Sequence, residues 1–216
     1  MKKYEMTSNY KIFLGKKLFQ IRALVDLCNG VKAGELGGYI EKEENLSQSG
    51  NAWVGGDAYV TDNARVTDNA YVTDNARVTD NALVTDNARV TGDALVTDNA
   101  RVTDKAWVTD NAWVGGDARV TGDAWVGGDA RVTDNTLVSD KANINSNADL
   151  LRITGLGSVH RATIVYRTQE DGIEIVCGCF RGNLEQFREQ VIKTREGKVR
   201  DEYLKFAELI EIYFRL

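Results

Sequence analysis

The chain has 216 residues, a net charge of −5 and no proline, a length that suits one repeat domain with small flanking units. No apolar run is long enough for a membrane helix, so no membrane partner is expected. Cys28, Cys177 and Cys179 make no disulfide framework, and Met1-Lys-Lys-Tyr-Glu-Met lacks the apolar core of a signal peptide, so a reducing cytoplasm is predicted.

Residues 1–45 are not repetitive. Tyr10-Lys-Ile-Phe-Leu and Leu18-Phe-Gln-Ile-Arg-Ala-Leu, joined by Gly15-Lys-Lys, predict a β-hairpin that serves as an N-terminal cap. The Gly37-Gly38 pair lacks the pattern and the Lys-Ser/Thr of a phosphate loop. A tight turn is the expectation there.

From residue 46 to 149 a six-residue period takes over: Ala64-Arg-Val-Thr-Asp-Asn, Ala70-Tyr-Val-Thr-Asp-Asn, Ala76-Arg-Val-Thr-Asp-Asn. Ala recurs at every sixth residue from Ala52 to Ala148, broken only by Thr136. Two residues after each stands Val, or Ile144 and Leu150 at the end. A fixed short period marks a repeat architecture. Residues two apart in an extended segment face the same way, so Ala and Val point in and the residue between them points out. Three such sides close one triangular coil. The aliphatic-then-small spacing, Val66 to Ala70, fits an all-β shaft, a left-handed parallel β-helix of hexapeptide repeats. About seventeen hexads make between five and six coils.

Thr-Asp-Asn or Gly-Gly-Asp supplies each corner. Asp and Asn tolerate left-handed backbone angles, and Gly takes them without steric cost. Where Gly replaces the usual Asp (Gly56, Gly92, Gly116, Gly122, Gly128), the next residue is Asp. Nearly every corner thus keeps a carboxylate. Asp62, Asp80 and Asp98 on one corner, with Asp68, Asp86 and Asp104 on another, form an acidic ladder. Turn chemistry accounts for it; a cation-binding or phosphate-mimicking ladder is the alternative. The repeat carries sixteen Asp, eight Lys or Arg and no Glu, about −8, and the flanks sum to +3. A shaft without a basic stripe is not expected to bind nucleic acid directly. No metal or other cofactor is predicted.

The outward residues fall on three faces. One carries Trp53, Tyr71, Arg89, Trp107, Trp125 and Asn143. The second carries Tyr59, Arg77, Leu95, Trp113 and Arg131. The third carries Arg65, Leu83, Arg101, Arg119 and Leu137. All four Trp are expected outside. Exposed aromatics beside Arg favour an interface, with Trp107, Trp113, Trp125, Tyr71, Arg89 and Arg131 as its candidates. Stacking along the ladder is the competing explanation. A single Thr per side, with charge beside it, argues against an ice-binding face.

At Leu150 the period breaks. Leu151-Arg-Ile-Thr-Gly-Leu-Gly, Ala162-Thr-Ile-Val-Tyr-Arg and Gly172-Ile-Glu-Ile-Val-Cys-Gly-Cys-Phe180 predict three strands, with Asp171-Gly172 marking the hairpin between the last two. Asn183 caps a helix with Leu184, Phe187 and Val191 on one face. A second helix from about Lys198 carries Val199, Tyr203, Phe206, Ala207, Ile210 and Phe214 at helical spacing. Residues 150–216 are therefore read as a small α+β domain of order βββαα. Cys177 and Cys179 lack partners for a zinc site and are expected to be buried thiols.

Val31-Lys-Ala-Gly, Gly37-Gly-Tyr-Ile and Leu46-Ser-Gln-Ser-Gly-Asn-Ala-Trp-Val54 resemble the lead-in of a bacterial and prophage family of hexapeptide-repeat proteins. These are of the acyltransferase or polymer-forming type, without demonstrated activity. The resemblance covers roughly residues 10–149. It implies a left-handed β-helix and a bacterial or phage origin, and it delivers no function. Hexapeptide β-helix acyltransferases typically use a His from a coil or its loop as general base. The only His here, His160, lies in the C-terminal unit, where a structural or solvated role is expected. No Ser-His-Asp set can be assembled. The chain is thus expected to be no enzyme. The expected function is a non-catalytic scaffold or binding protein, phage- or prophage-encoded. It would self-assemble as a dimer or trimer and engage a macromolecular partner such as a host protein, in the host cytoplasm. The alternatives are an acidic decoy inhibiting a host nucleic-acid-binding or defence protein, and a hexapeptide-repeat acyltransferase, disfavoured by the absence of His from the coils.

Overall fold

The computed structural model describes residues 2–157, 160–170 and 172–216. The chain divides into two compact units, Met1–Asp140 and Lys141–Leu216.

The first unit opens with a hairpin of β1 (Tyr4–Phe13) and β2 (Lys16–Ala23), paired antiparallel from Tyr4 with Ala23 to Phe13 with Lys16. Leu14 and Gly15 both take positive φ, 49° and 79°, which matches the twist of the flanking strands. β3 (Leu36–Ile40) pairs antiparallel with β2 and parallel with Tyr59–Val60. The cap thereby converts a hairpin into the parallel ladder of the shaft. Gly37 and Gly38 lie inside β3, not in the expected turn. A Cβ on Gly37 would sit 2.5 Å from the Val54 carbonyl oxygen, and one on Gly38 2.5 Å from that of Ala58. Close backbone approach requires these glycines.

Up to Asp140 the shaft contains fifteen two-residue strands, from Trp53–Val54 to Leu137–Val138, five on each of three faces. Strands three hexads apart pair in parallel: Tyr71 aligns with Arg89, Arg89 with Trp107 and Trp107 with Trp125. Backbone N–H groups donate along the axis, as from Tyr71 to the Ala88 carbonyl (2.9 Å) and Thr73 to Val90 (3.0 Å). Each inward Ala and Val from Ala52 to Val132 is at most 1% exposed. The core is therefore a column of small and β-branched side chains, and stability accumulates from contacts between neighbouring coils.

The corners explain the exchange of Asp for Gly. Ten Asp from Asp62 to Asp140 have φ between 53° and 62°, and Gly56, Gly92, Gly116, Gly122 and Gly128 have φ between 54° and 68°. Both residue types occupy the left-handed position, where other side chains are strained. The next residue builds a side-chain ladder. Lys42 Nζ donates to Asn63 Oδ1 (3.2 Å), Asn63 to Asn81 (3.2 Å), Asn81 to Asn99 (3.2 Å) and Asn99 to Asp117 Oδ1 (3.0 Å). This chain starts on a group that only donates and ends on one that only accepts, so its polarity is consistent throughout.

In the second unit Leu150–Leu156, Arg161–Arg167, Ile173–Cys177 and Phe180–Gly182 form an antiparallel sheet. Helices α1 (Leu184–Thr194) and α2 (Gly197–Phe214) follow. The third run expected from the sequence is two strands. Gly178, with φ 62°, turns the chain and pairs Cys177 with Phe180. That turn also corrects the expected burial of the thiols: Cys179 is exposed and Cys177 half-buried. Asp171, expected in the preceding hairpin, lies outside the described residues. Asn183 Oδ1 accepts from Gln186 N–H (2.9 Å) while Gln186 Oε1 accepts from Asn183 N–H (3.0 Å), a reciprocal cap. Leu184, Phe187 and Val191 of α1 and Tyr203, Phe206, Ala207, Ile210 and Phe214 of α2 pack with Val165, Ile173 and Ile175.

Candidate interaction surface

The period puts four Trp on the outside of the coils, but the cap covers the first. Trp53 is 1% exposed and Tyr59 7%. Trp53 Cζ2 lies where a Cβ on Gly37 would be 2.7 Å away, and the Phe13 ring is 4.7 Å from that of Tyr59. The expectation of an outward Trp53 is corrected: it belongs to the core beneath the hairpin. A repeat pattern carries no information about what folds over its first turn.

The six interface candidates lie on two faces. Tyr71, Arg89, Trp107 and Trp125 share one ladder. Trp113 and Arg131 are neighbours on another. The Trp and Tyr side chains are half-buried and the two Arg exposed. Trp107 and Trp125 have ring centroids 4.5 Å apart, inclined at 54°. The Arg89 guanidinium lies 5.9 Å from the Trp107 ring and that of Arg131 5.2 Å from Trp113, within cation–π range.

The indoles adopt two settings. Trp107 Nε1 donates to Thr91 Oγ1 (2.9 Å), itself 3.0 Å from Thr109 Oγ1. Trp113 and Trp125 instead fold over the residue two positions on. A Cβ at Gly115 or Gly127 would lie 2.8 or 2.7 Å from the respective indole nitrogen. The signal was present in the sequence: Trp113 and Trp125 precede Val-Gly-Gly, whereas Trp107 precedes Val-Thr. Trp113 Nε1 is buried without a hydrogen-bond partner among the described residues.

The corner aspartates are wired along the axis. Asp68 accepts from the Thr67 hydroxyl (2.8 Å) and that of Thr85. Asp80 accepts from Thr79 (2.7 Å) and Thr97 (2.5 Å). Asp62 accepts from Thr61 (2.8 Å) and pairs with the Lys16 ammonium. Asp98, Asp104 and Asp86 take backbone N–H groups of the next coil, from Gly116 (2.9 Å), Gly122 (3.1 Å) and Asp104 (3.4 Å). Hydrogen bonds from Thr85 and then Thr67 hold the Asp68 carboxyl below its ordinary range. Thr97 and then Thr79 do the same for Asp80. For Asp62 the Lys16 ammonium is the main cause, followed by Thr61.

His160 is exposed, with φ 50° and Nδ1 3.1 Å from the Gly155 carbonyl oxygen. Among the described residues no group of three His, Cys, Asp or Glu side chains is arranged to hold a metal, and no helix is long and apolar enough to cross a membrane. The family described as the YdcK beta solenoid repeat matches residues 112–128, a stretch of about one coil that includes Trp113, Arg119 and Trp125. No curated protein matches the chain.

Proposed function

We propose that this hexapeptide-repeat β-solenoid protein is a non-catalytic scaffold that assembles with copies of itself and engages a macromolecular partner through its two aromatic ladders. The observation that supports this most is the Trp107–Trp125 pair, half-buried on an outer face with Arg89 over Trp107. Rings braced by the coils above and below lose little freedom on docking. Trp and Arg are the side chains that most often dominate interface energies. A phage or prophage origin rests on the resemblance carried by residues 31–54; a host protein is the partner that such an origin would suggest.

The test is the solution mass of the wild type and of a Trp107→Ala/Trp125→Ala variant, measured by light scattering after size exclusion. A discrete dimer or trimer is expected for the wild type and a monomer for the variant, with the solenoid's circular dichroism retained. A monomeric wild type, or a variant of unchanged mass, rejects assembly through this ladder. Undiminished capture of a host protein by the variant rejects its role in partner binding.

A further inference from the structure

The third face runs Leu83, Arg101, Arg119, Leu137 on consecutive coils, in parallel register. The rung spacing of about 4.8 Å sets two exposed arginines side by side. On the other two faces the arginines have partners: Arg77 bonds Tyr59, Arg89 lies over Trp107 and Arg131 over Trp113; on this face Arg65 stands alone beside Leu83, and Arg101 and Arg119 are the adjacent pair. The Arg101 and Arg119 side chains make no hydrogen bond, ion pair or ring contact among the described residues. Like charges on neighbouring rungs destabilise a sheet, and turn chemistry gives no reason for this pair.

A cavity of about 470 Å³ lies against both arginines and Thr136. Thr136 is the one residue that breaks the alanine column. It is 2% exposed, and its hydroxyl has no hydrogen-bond partner among the described residues. Alanine makes the same bend in the other hexads, so the bend does not need the hydroxyl. Two guanidinium forks without a partner among the described residues therefore border one cavity that Thr136 also lines.

We propose that this cavity binds the phosphate group of a small phosphate monoester. A phosphate monoester presents three terminal oxygens, one for each of the three donor groups, where a carboxylate presents two. The planar fork of Arg suits such oxyanions in bidentate geometry. The cavity volume falls in the range of small-ligand sites. Asp117, whose carboxylate accepts from Asn99 Nδ2 at 3.0 Å, also lines the cavity. Two arginines against one aspartate leave it net positive, and Asp117 is placed to meet a hydroxyl on the body of the ligand. The site uses neither aromatic ladder and is independent of the proposed assembly.

Isothermal titration calorimetry on the full chain at fixed ionic strength tests this, with glycerol phosphate, inorganic phosphate and acetate as probes. Saturable binding of both phosphates and none of acetate is expected. Arg101→Gln and Arg119→Gln should each raise the dissociation constant about tenfold or more, the loss of a charged hydrogen bond. Thr136→Ala restores the repeat's own residue, keeps the fold and should weaken binding several-fold. Arg65→Gln, on the same face, and the Trp107→Ala/Trp125→Ala variant should titrate like the wild type. No saturable heat with the wild type, or unchanged affinity in the Arg→Gln variants, overturns the site. Acetate binding as well as phosphate, or inorganic phosphate binding without glycerol phosphate, overturns the monoester assignment. Unchanged affinity in Thr136→Ala overturns the role of its hydroxyl.

Discussion

Trp125 folds over Gly127, so that a Cβ at Gly127 would lie 2.7 Å from the indole nitrogen. Gly127 does not have positive φ; room, not backbone freedom, is what the glycine supplies. Gly127→Thr installs the residue that the repeat usually has there, yet it should destabilise by about 1–3 kcal/mol through overpacking. Trp125→Leu/Gly127→Thr should recover most of the loss. Urea denaturation of the two single variants and the double measures the coupling. Equal stability of Gly127→Thr and wild type would mean the indole swings to the setting seen for Trp107.

Asp104 has φ 60° and accepts from the Gly122 N–H at 3.1 Å. Asp104→Gly and Asp104→Ala both remove that acceptor, so their difference isolates the backbone. The Ala variant should be less stable than the Gly variant by about 1 kcal/mol, the penalty for a Cβ in left-handed conformation. Thermal melts of the pair decide it, and a more stable Ala variant would contradict the corner geometry.

Asp68 and Asp80 have carboxyls held below their ordinary value of 3.8 by threonine hydroxyls. A depressed folded pKa gives stability that is present above the unfolded value and lost as pH falls through the folded one. The shaft should therefore weaken below about pH 4. Asp68→Asn/Asp80→Asn should flatten that decline while lowering stability at neutral pH. Denaturant midpoints measured from neutral pH down to acid test the slope; parallel curves for the two proteins would reject it.

Lys3 is buried, donates to the Ala52 carbonyl at 2.7 Å, and has its pKa pushed by burial from 10.5 to about 8. The unfolded chain therefore binds this proton more tightly than the fold does. The penalty is full below pH 8 and is relieved as pH rises towards 10.5. Stability should rise between about pH 8 and pH 10, before Tyr4, whose phenol burial pushes up from 10.0, would ionise in the unfolded chain. Lys3→Met should remove the rise. A wild-type midpoint that is flat or falling over this window rejects the assignment.

Much of the shaft was legible because its rule is local. Ala and Val two apart make an inward face, and Asp, Asn or Gly makes a corner, whatever lies elsewhere in the chain. The same holds for Asn183, whose place just before the apolar face of Leu184, Phe187 and Val191 specifies a cap. The Gly37-Gly38 pair and the Gly178 turn were misread for a common reason. Glycine marks both bends and close approaches, and only the neighbouring backbone distinguishes them.

The sequence by itself determined the coil, its three faces and the residues on each, because a period of six fixes which side chains share a direction. Tertiary structure alone decided that Trp53 is buried, since the hairpin covering it is distant in sequence. It gave the Trp107 indole its acceptor, the Thr91 hydroxyl sixteen residues away, which the local Val-Thr spacing does not name. It also set Arg101, Arg119 and Thr136 around one cavity. Periodicity assigns a direction to each side chain; what each one meets depends on packing between coils.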